Sequence, residues 1–363
     1  MNGPWKEHKY KFGAIILAFV VIIASIGIYT HFAPRNYPNV SELIIRVPTN
    51  VPHGDDLVDS IEDLVDAAQK LGITRLSVLF KQDEDATDEL DASGEIIESG
   101  RVYFNSSDPQ NLNPYNMDIA DLFITACHSR GLECYAWIPI FRDHYARHLN
   151  PTWGLSGEGD TQYFVNPELE EVQEYQLELL EDLISRYPVD GLRLDYVRNT
   201  NVQENETKAA ALTNFLEEAA SRFEGLPLGV YAFPPNQWWW SGQNYTAWCP
   251  FVDSIHPMIY WQDNPTLAGN LRPVLRNTRE TTRDSLAHTD QDSTEVIPVI
   301  SITDWVNTGH TYETFSEKTI RRYFEGIMRQ LGDDQIANVS LFYYGAWNTE
   351  SILNRLEYIQ NLQ

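Results

Sequence analysis

Between residues 42 and 363, eight apolar runs of β-type residues alternate with helically spaced segments, and this alternation constrains the fold more than any other feature. The runs are 43-LIIRVP-48, 73-ITRLSVLF-80, 133-ECYAWIPI-140, 189-VDGLRLD-195, 228-LGVYAFP-234, 252-VDSIHPMIY-260, 296-VIPVIS-301 and 339-VSLFYY-344. Helical patterns are predicted over 55–71, 118–130, 167–187, 207–223, 265–287, 316–331 and 349–361. Alternation of this kind implies parallel pairing, and eight units imply a closed (β/α)8 TIM barrel, an α/β fold. An open doubly wound sheet is the structural alternative, but no Gly-rich fingerprint follows the first strand. The helix at 167–187 is predicted to start on Asn166 as N-cap, with Pro167 in the first position.

Excursions after strands two, three and five are longer than the loops before strands, so they crowd one rim. In such barrels the carboxyl ends of the strands hold the active site. The stretch from 90 to 105 reads as a small hairpin forming one wall of that cleft.

Before the barrel, residues 12–30 form an uncharged apolar run of about the length that spans hydrocarbon. Lys6, Lys9 and Lys11 precede it, which predicts a basic cytoplasmic segment over 1–11, a single-pass signal anchor over 12–30 and an outward-facing remainder. A cleaved signal peptide is the competing reading. Residues 31–41 read as a linker and 42–363 as the barrel.

The formal charge is -26, from 52 acidic and 26 basic residues. Such a surface repels phosphates, which excludes a nucleic-acid partner and points to a neutral or cationic substrate. Cys127, Cys134 and Cys249 lack metal-ligand spacing and read as buried thiols. No cofactor is implied.

Strand ends, taken in order, furnish Lys81, Gln82 and Asp83; Arg142; Asp195, Tyr196 and Arg198; Trp238 with Trp239 and Trp240; Tyr260, Trp261 and Asp263; Asp304 and Trp305; and Trp347. Sugar rings present C–H faces that stack on Trp and Tyr, and hydroxyls that bond to polar side chains. Cleaving the bond between rings requires two carboxyl groups. On this reading Asp195 is the essential carboxylate, held ionised by Arg193 or Arg198. Asp304 or Asp263 is the acid, raised by nearby Trp. Tyr260, Trp261, Trp305 and Trp347 line the sugar subsites, Trp238 adds a stacking face and Trp137 supports them from strand three. Asp83, Glu84 and Asp85 read as a solvated acidic run, and His256 as a core histidine. The expected partner is a polysaccharide or oligosaccharide; the rival reading is a barrel that binds glycans at the envelope without cleaving them.

The segments 130-RGLECYAWIPIFR-142, 150-NPTW-153, 163-YFVNPELEEVQEYQLELLEDLISRYPVDGLRLDYVR-198 and 252-VDSIHPMIYW-261 resemble the glycosyl-hydrolase-like family 10 barrels. That resemblance implies an extracytoplasmic glycosidase. The family commonly has Asp-Asp where this chain has Asp195-Tyr196, and Pro-Gln where it has Pro257-Met258. More distantly, 191-GLRLD-195 is similar to the Gly-x-Arg-x-Asp of family 13 amylases, which would cast Asp195 as nucleophile with Arg193 beside it. The same stretch with 258-MIYW-261 is similar to segments of family 18 chitinases.

Overall fold

A computed structural model describes residues 37–47, 57–90, 96–107, 113, 117–156, 159–199, 206–235, 241–260, 271–301, 305–307, 312–314, 316–342 and 357–358. Eight strand positions follow one another: β1 (Asn39–Ile45), β2 (Arg75–Leu79), β3 (Glu133–Pro139), β4 (Gly191–Asp195), β5 (Leu228–Ala232), β6 (Ser254–Ile259), β7 (Glu295–Val296 continuing as Val299–Ser301) and β8 (Asn338–Phe342). Each pairs in parallel with its chain neighbour, and β8 pairs with β1 in register Leu43 to Leu341, which closes the barrel. Pro298 has no N–H with which to continue the ladder, so β7 breaks there. Its carbonyl still accepts from the Ser340 N–H at 3.0 Å.

The helices include α1 (Leu57–Lys70), α2 (Ile119–Ser129), α3 (Glu170–Arg186), α4 (Glu206–Arg222), the short α5 (Tyr245–Trp248), α6 (Leu271–Ala287) and α7 (Glu317–Asp333), and a further short helix, His144–Leu149, lies in the segment after β3. Ile61, Leu64, Val65 and Ala68 form the buried stripe of α1, at the spacing that puts them on one face. Glu357 and Tyr358 are helical, within the predicted closing helix.

Two boundaries differ from expectation. The first strand begins at Asn39, inside the stretch read as linker, because Asn39 N–H bonds to the Ala337 carbonyl at 2.8 Å beside β8. Helix α3 begins at Glu170 rather than Pro167, since the Asn166 side chain accepts from the Glu168 N–H at 3.1 Å and caps a local turn instead. Among the described residues no helix is long and apolar enough to cross a membrane, and the 12–30 run lies outside them.

Side chains alternate across the strands. In β4 the two leucines, Leu192 and Leu194, pack in the hydrophobic core, while Arg193 and Asp195 point into the barrel. The middle of that interior is polar. Arg193 Nε donates to Glu42 Oε1 at 3.1 Å, Ser340 Oγ donates to Glu42 Oε2 at 2.7 Å, and Tyr231 donates to Ser77 Oγ at 2.8 Å. Gly229 leaves room for this layer: a Cβ there would meet Arg193 Nη1 and Ser254 Oγ at 2.6 Å. His256, fully buried and hydrogen-bonded to Ser254, has its pKa pushed well below the usual value, first by burial and then by Arg193. It is a core histidine, as read from the sequence.

Candidate active site

Above the polar layer, the carboxyl ends of four consecutive strands meet. Arg46 follows β1, Asp83 and Glu84 follow β2, Trp137 lies in β3 and Asp195 ends β4. Trp137 Nε1 donates to Asp195 Oδ2 at 3.1 Å, and the Tyr196 backbone N–H donates to Asp195 Oδ1 at 2.6 Å. Tyr196 adopts φ 52°, a left-handed conformation uncommon for a bulky residue. Its carbonyl is held by the Phe141 N–H at 3.4 Å and that of Asp195 by the Ile140 N–H at 2.8 Å, so β3 stabilises the turn. A side chain in such a strained backbone is a reason to look for function there.

Asp195 is only 6% exposed. Burial is the dominant influence on its carboxyl and pushes the pKa up to about 6, despite the opposing charge of Arg198 and the Tyr196 N–H; Asp83 adds to the rise, and Trp137 opposes it. A carboxyl with this pKa is still mostly ionised at neutral pH, and of the two expected partners Arg198 favours that form. Arg193 cannot hold Asp195 ionised, because its guanidinium is turned to Glu42 in the layer below and is 1% exposed. Arg198 lies between two rings, 4.2 Å from the centroid of Tyr196 and 4.1 Å from that of Phe233, and its attraction does not outweigh burial.

The remaining expected residues separate into those at the mouth and those beneath it. Arg142 Nη1 donates to the Tyr196 hydroxyl at 3.0 Å and to Glu84 Oε1 at 3.2 Å. Burial raises the Tyr196 phenol well above its usual pKa. Tyr260 stacks on Phe342 at 5.5 Å and 25°, and Phe342 meets Trp137 edge-on at 5.9 Å, which carries one aromatic surface from β3 across to β6 and β8. Lys81, by contrast, is no rim residue. It is fully buried, 2.8 Å from Asp143 Oδ2 and 2.6 Å from Gln176 Oε1 of α3. Burial lowers its pKa, against the pull of Asp143. Gln82 is buried too; it accepts from the Tyr103 hydroxyl and donates to the Glu84 carbonyl, shaping the loop that carries Glu84.

Trp238, Trp261, Asp263, Asp304 and Trp347 lie outside the described residues. Trp305 begins a strand, Trp305–Asn307, that pairs antiparallel with Tyr312–Thr314 after β7. A second antiparallel pair, Ala86–Leu90 with Ile96–Ile97, follows β2, a few residues ahead of the predicted hairpin. It is flanked by a polar clasp in which Asp85 meets His144 Nδ1 at 2.8 Å and the Ser99 N–H at 2.8 Å.

Sequence reasoning placed Asp83 at a strand end but read it as solvated, and it missed Arg46. Asp83 is 5% exposed, and Arg46 Nε donates to both of its oxygens at 3.0 Å while Nη2 lies 2.8 Å from Oδ1. Its neighbours Glu84 and Asp85 made the triplet read as solvated. The available signal was positional: Asp83 and Arg46 follow the second and first strands as Arg198 follows the fourth.

Residues 81–340, well over half of the chain, match the family DUF4015, described as Putative glycosyl hydrolase domain. The chain belongs to this family. The matched region runs from the end of β2 to within β8 and includes the acidic loop after β2, Trp137 and Asp195. No curated protein matches this family member. Among solved structures it is similar to the PgaB (BpsB) glycoside hydrolase domain from Bordetella bronchiseptica, at 15% identity and TM-score 0.60, covering 90% of this chain and 99% of that one. It is also similar to the Bacillus megaterium QM B1551 spore cortex-lytic enzyme SleL, at 10% identity and TM-score 0.54 over 90% and 75% of the two chains. A glycoside hydrolase family 20 β-N-acetylglucosaminidase matches at 11% identity and TM-score 0.53 over 91% and 69%. At these identities the likeness is one of fold.

Proposed function

We propose that the protein hydrolyses a glycosidic bond in a polysaccharide or glycan outside the cytoplasm, with Asp195 as the group that protonates the leaving oxygen. One observation carries this reading: a carboxyl at the carboxyl end of a barrel strand, beside an indole N–H, with its pKa pushed up to about 6 by burial. A carboxyl in this range is protonated often enough near neutrality to donate, and acidic enough to release the proton as the bond breaks. Half-buried Tyr260 and Phe342, packed against the buried Trp137, supply aromatic rings near this strand end against which a sugar would stack. The uncharged run at 12–30, preceded by three lysines, supports an anchor with the barrel outside.

The test is release of reducing ends from a panel of neutral, cationic and acidic polysaccharides by the full chain and by Asp195→Asn. Release that the substitution abolishes supports the reading. Retention of a polysaccharide without release, unchanged by Asp195→Asn, selects a carbohydrate-binding barrel. For location, the full chain should stay with membranes on alkaline extraction, and its barrel should be cut by protease added from outside.

A further inference from the structure

We propose that Asp83, clamped by Arg46, is the second carboxylate of this site and takes the proton of the water that attacks the anomeric carbon. This rests on the reading of the barrel as a glycoside hydrolase in which Asp195 is the acid.

Asp83 belongs to an acid-rich stretch, yet it does not behave like its neighbour. The Glu84 side chain is 40% exposed, whereas that of Asp83 is 8% exposed and its carboxylate is engaged on both oxygens by Arg46, itself a buried residue. A buried ion pair is costly to desolvate and is weak evidence for stability alone. Among the described residues, Glu42 with Arg193 across the interior and Lys81 with Asp143 where β2 and β3 meet α3 are buried pairs that already join parts of the barrel. The Arg46–Asp83 pair joins the residues that follow β1 and β2 at the strand ends.

Contacts run from Asp83 to Asp195 around the mouth. Arg46 Nη2 is 3.7 Å from Glu84 Oε2, Glu84 Oε1 accepts from Arg142, Arg142 donates to the Tyr196 hydroxyl, and the Tyr196 N–H donates to Asp195. The negative charge of Asp83 reaches both Asp195 and Tyr196, raising each. Two carboxyl groups at neighbouring strand ends are thus linked through unlike surroundings, one beside a guanidinium and one beside an indole. Environments that differ in this way separate an acid from a base.

Asp83 is assigned the base because each of its oxygens, though held by the guanidinium, keeps a lone pair with which to accept a water proton. In the step, the Asp195 O–H proton passes to the glycosidic oxygen as the bond from that oxygen to the anomeric carbon breaks. Water forms the new C–O bond from the opposite face, and its proton goes to Asp83. One water is consumed, two sugar hydroxyls form, and solvent returns the proton from Asp83 to Asp195. The product therefore has inverted configuration. Arg46 is a positioning residue in this scheme.

The experiment uses the full chain and a polysaccharide that it cleaves. Asp83→Asn should lower kcat by about 10²- to 10⁴-fold. Asp83→Ala should regain turnover with azide and form a glycosyl azide of inverted configuration, and NMR of the first wild-type product should show inversion. Retention, or wild-type kcat in Asp83→Asn, overturns the proposal. A second measurement needs no substrate: the Asp195 carboxyl, followed by ¹³C NMR, should titrate at lower pH in Asp83→Asn than in the wild type, and an unmoved midpoint overturns the pairing. Full activity in Asp83→Asn beside a dead Asp195→Asn removes the role of Asp83 and leaves that of Asp195. Absence of turnover in wild type and variants alike removes the hydrolase reading, while the titration still decides whether the two carboxyls form a pair.

Discussion

Trp137 Nε1 lies 3.1 Å from Asp195 Oδ2 and donates to it from the adjacent strand. A donor of this kind favours the ionised carboxylate, so removing it should raise the carboxyl further. Trp137→Phe keeps a ring against Tyr231 and Phe342 but loses the N–H. We expect the Asp195 midpoint to rise by about one to two units, since a hydrogen bond to a charged group contributes roughly 1.5–3 kcal/mol. NMR titration of the carboxyl checks this, and an unchanged midpoint would count against it.

The pH profile follows from the same carboxyl. Its protonated form is the donor, and the pKa lies at about 6. Hydrolysis should therefore fall about tenfold per pH unit above that value, with a separate acidic limb where the base becomes protonated. A basic limb that survives in Asp195→Asn would assign the titration to another group.

Burial of Asp195 has a cost in stability. Its folded pKa of about 6 lies above the ordinary 3.8, so the folded state binds the proton more tightly and stability is lost as pH rises between those values. The full difference amounts to about 3 kcal/mol above pH 6. Asp195→Asn should thus be inactive yet more stable at pH 7.5, by about 1–3 kcal/mol, with the lower figure applying if its amide N–H opposes that of Trp137. Chemical denaturation at pH 7.5 and pH 4 tests this: the gain should shrink at the lower pH.

Lys81 and Asp143 lie 2.8 Å apart with no exposed side-chain area. Lys81→Met strands a buried carboxylate and should destabilise the protein by about 3–5 kcal/mol. Asp143 keeps Gln176 Nε2 at 2.9 Å and the Ala146 N–H at 2.8 Å, which favours the lower half of that range. Thermal unfolding measures the loss.

Gly229→Ala probes the polar layer below the site. The added methyl would sit 2.6 Å from Arg193 Nη1 and Ser254 Oγ and 3.0 Å from His256 Nε2. Overpacking of this degree should cost about 1–3 kcal/mol. Displacement of Arg193 from Glu42 should be visible in a crystal structure of the variant, and wild-type stability would show that the layer yields easily.

The eight β-type runs and their order were legible because period-two and helical patterns are local properties of the chain, and parallel pairing follows from their alternation. Asp195 was legible for the same reason, as the last inward position of a strand reading Gly191, Arg193, Asp195. Boundaries were less so: Asn166 had the chemistry of a helix cap but caps a turn three residues earlier. The division of roles within GLRLD was hidden altogether, since Arg193 and Asp195 share a face and only the partners reached across the barrel send one to Glu42 and the other to Trp137.

By itself, then, the sequence determined a (β/α)8 barrel with a carboxylate at the end of its fourth strand, since those statements depend on neighbours along the chain. Only the tertiary structure decided which charges are satisfied. Arg46 meets Asp83 from 37 positions away and Lys81 meets Gln176 from 95 positions away, and burial beside Trp137 raises the Asp195 carboxyl. Charge and solvation depend on what surrounds a group in space, and in a closed ring of strands those surroundings come from all parts of the chain.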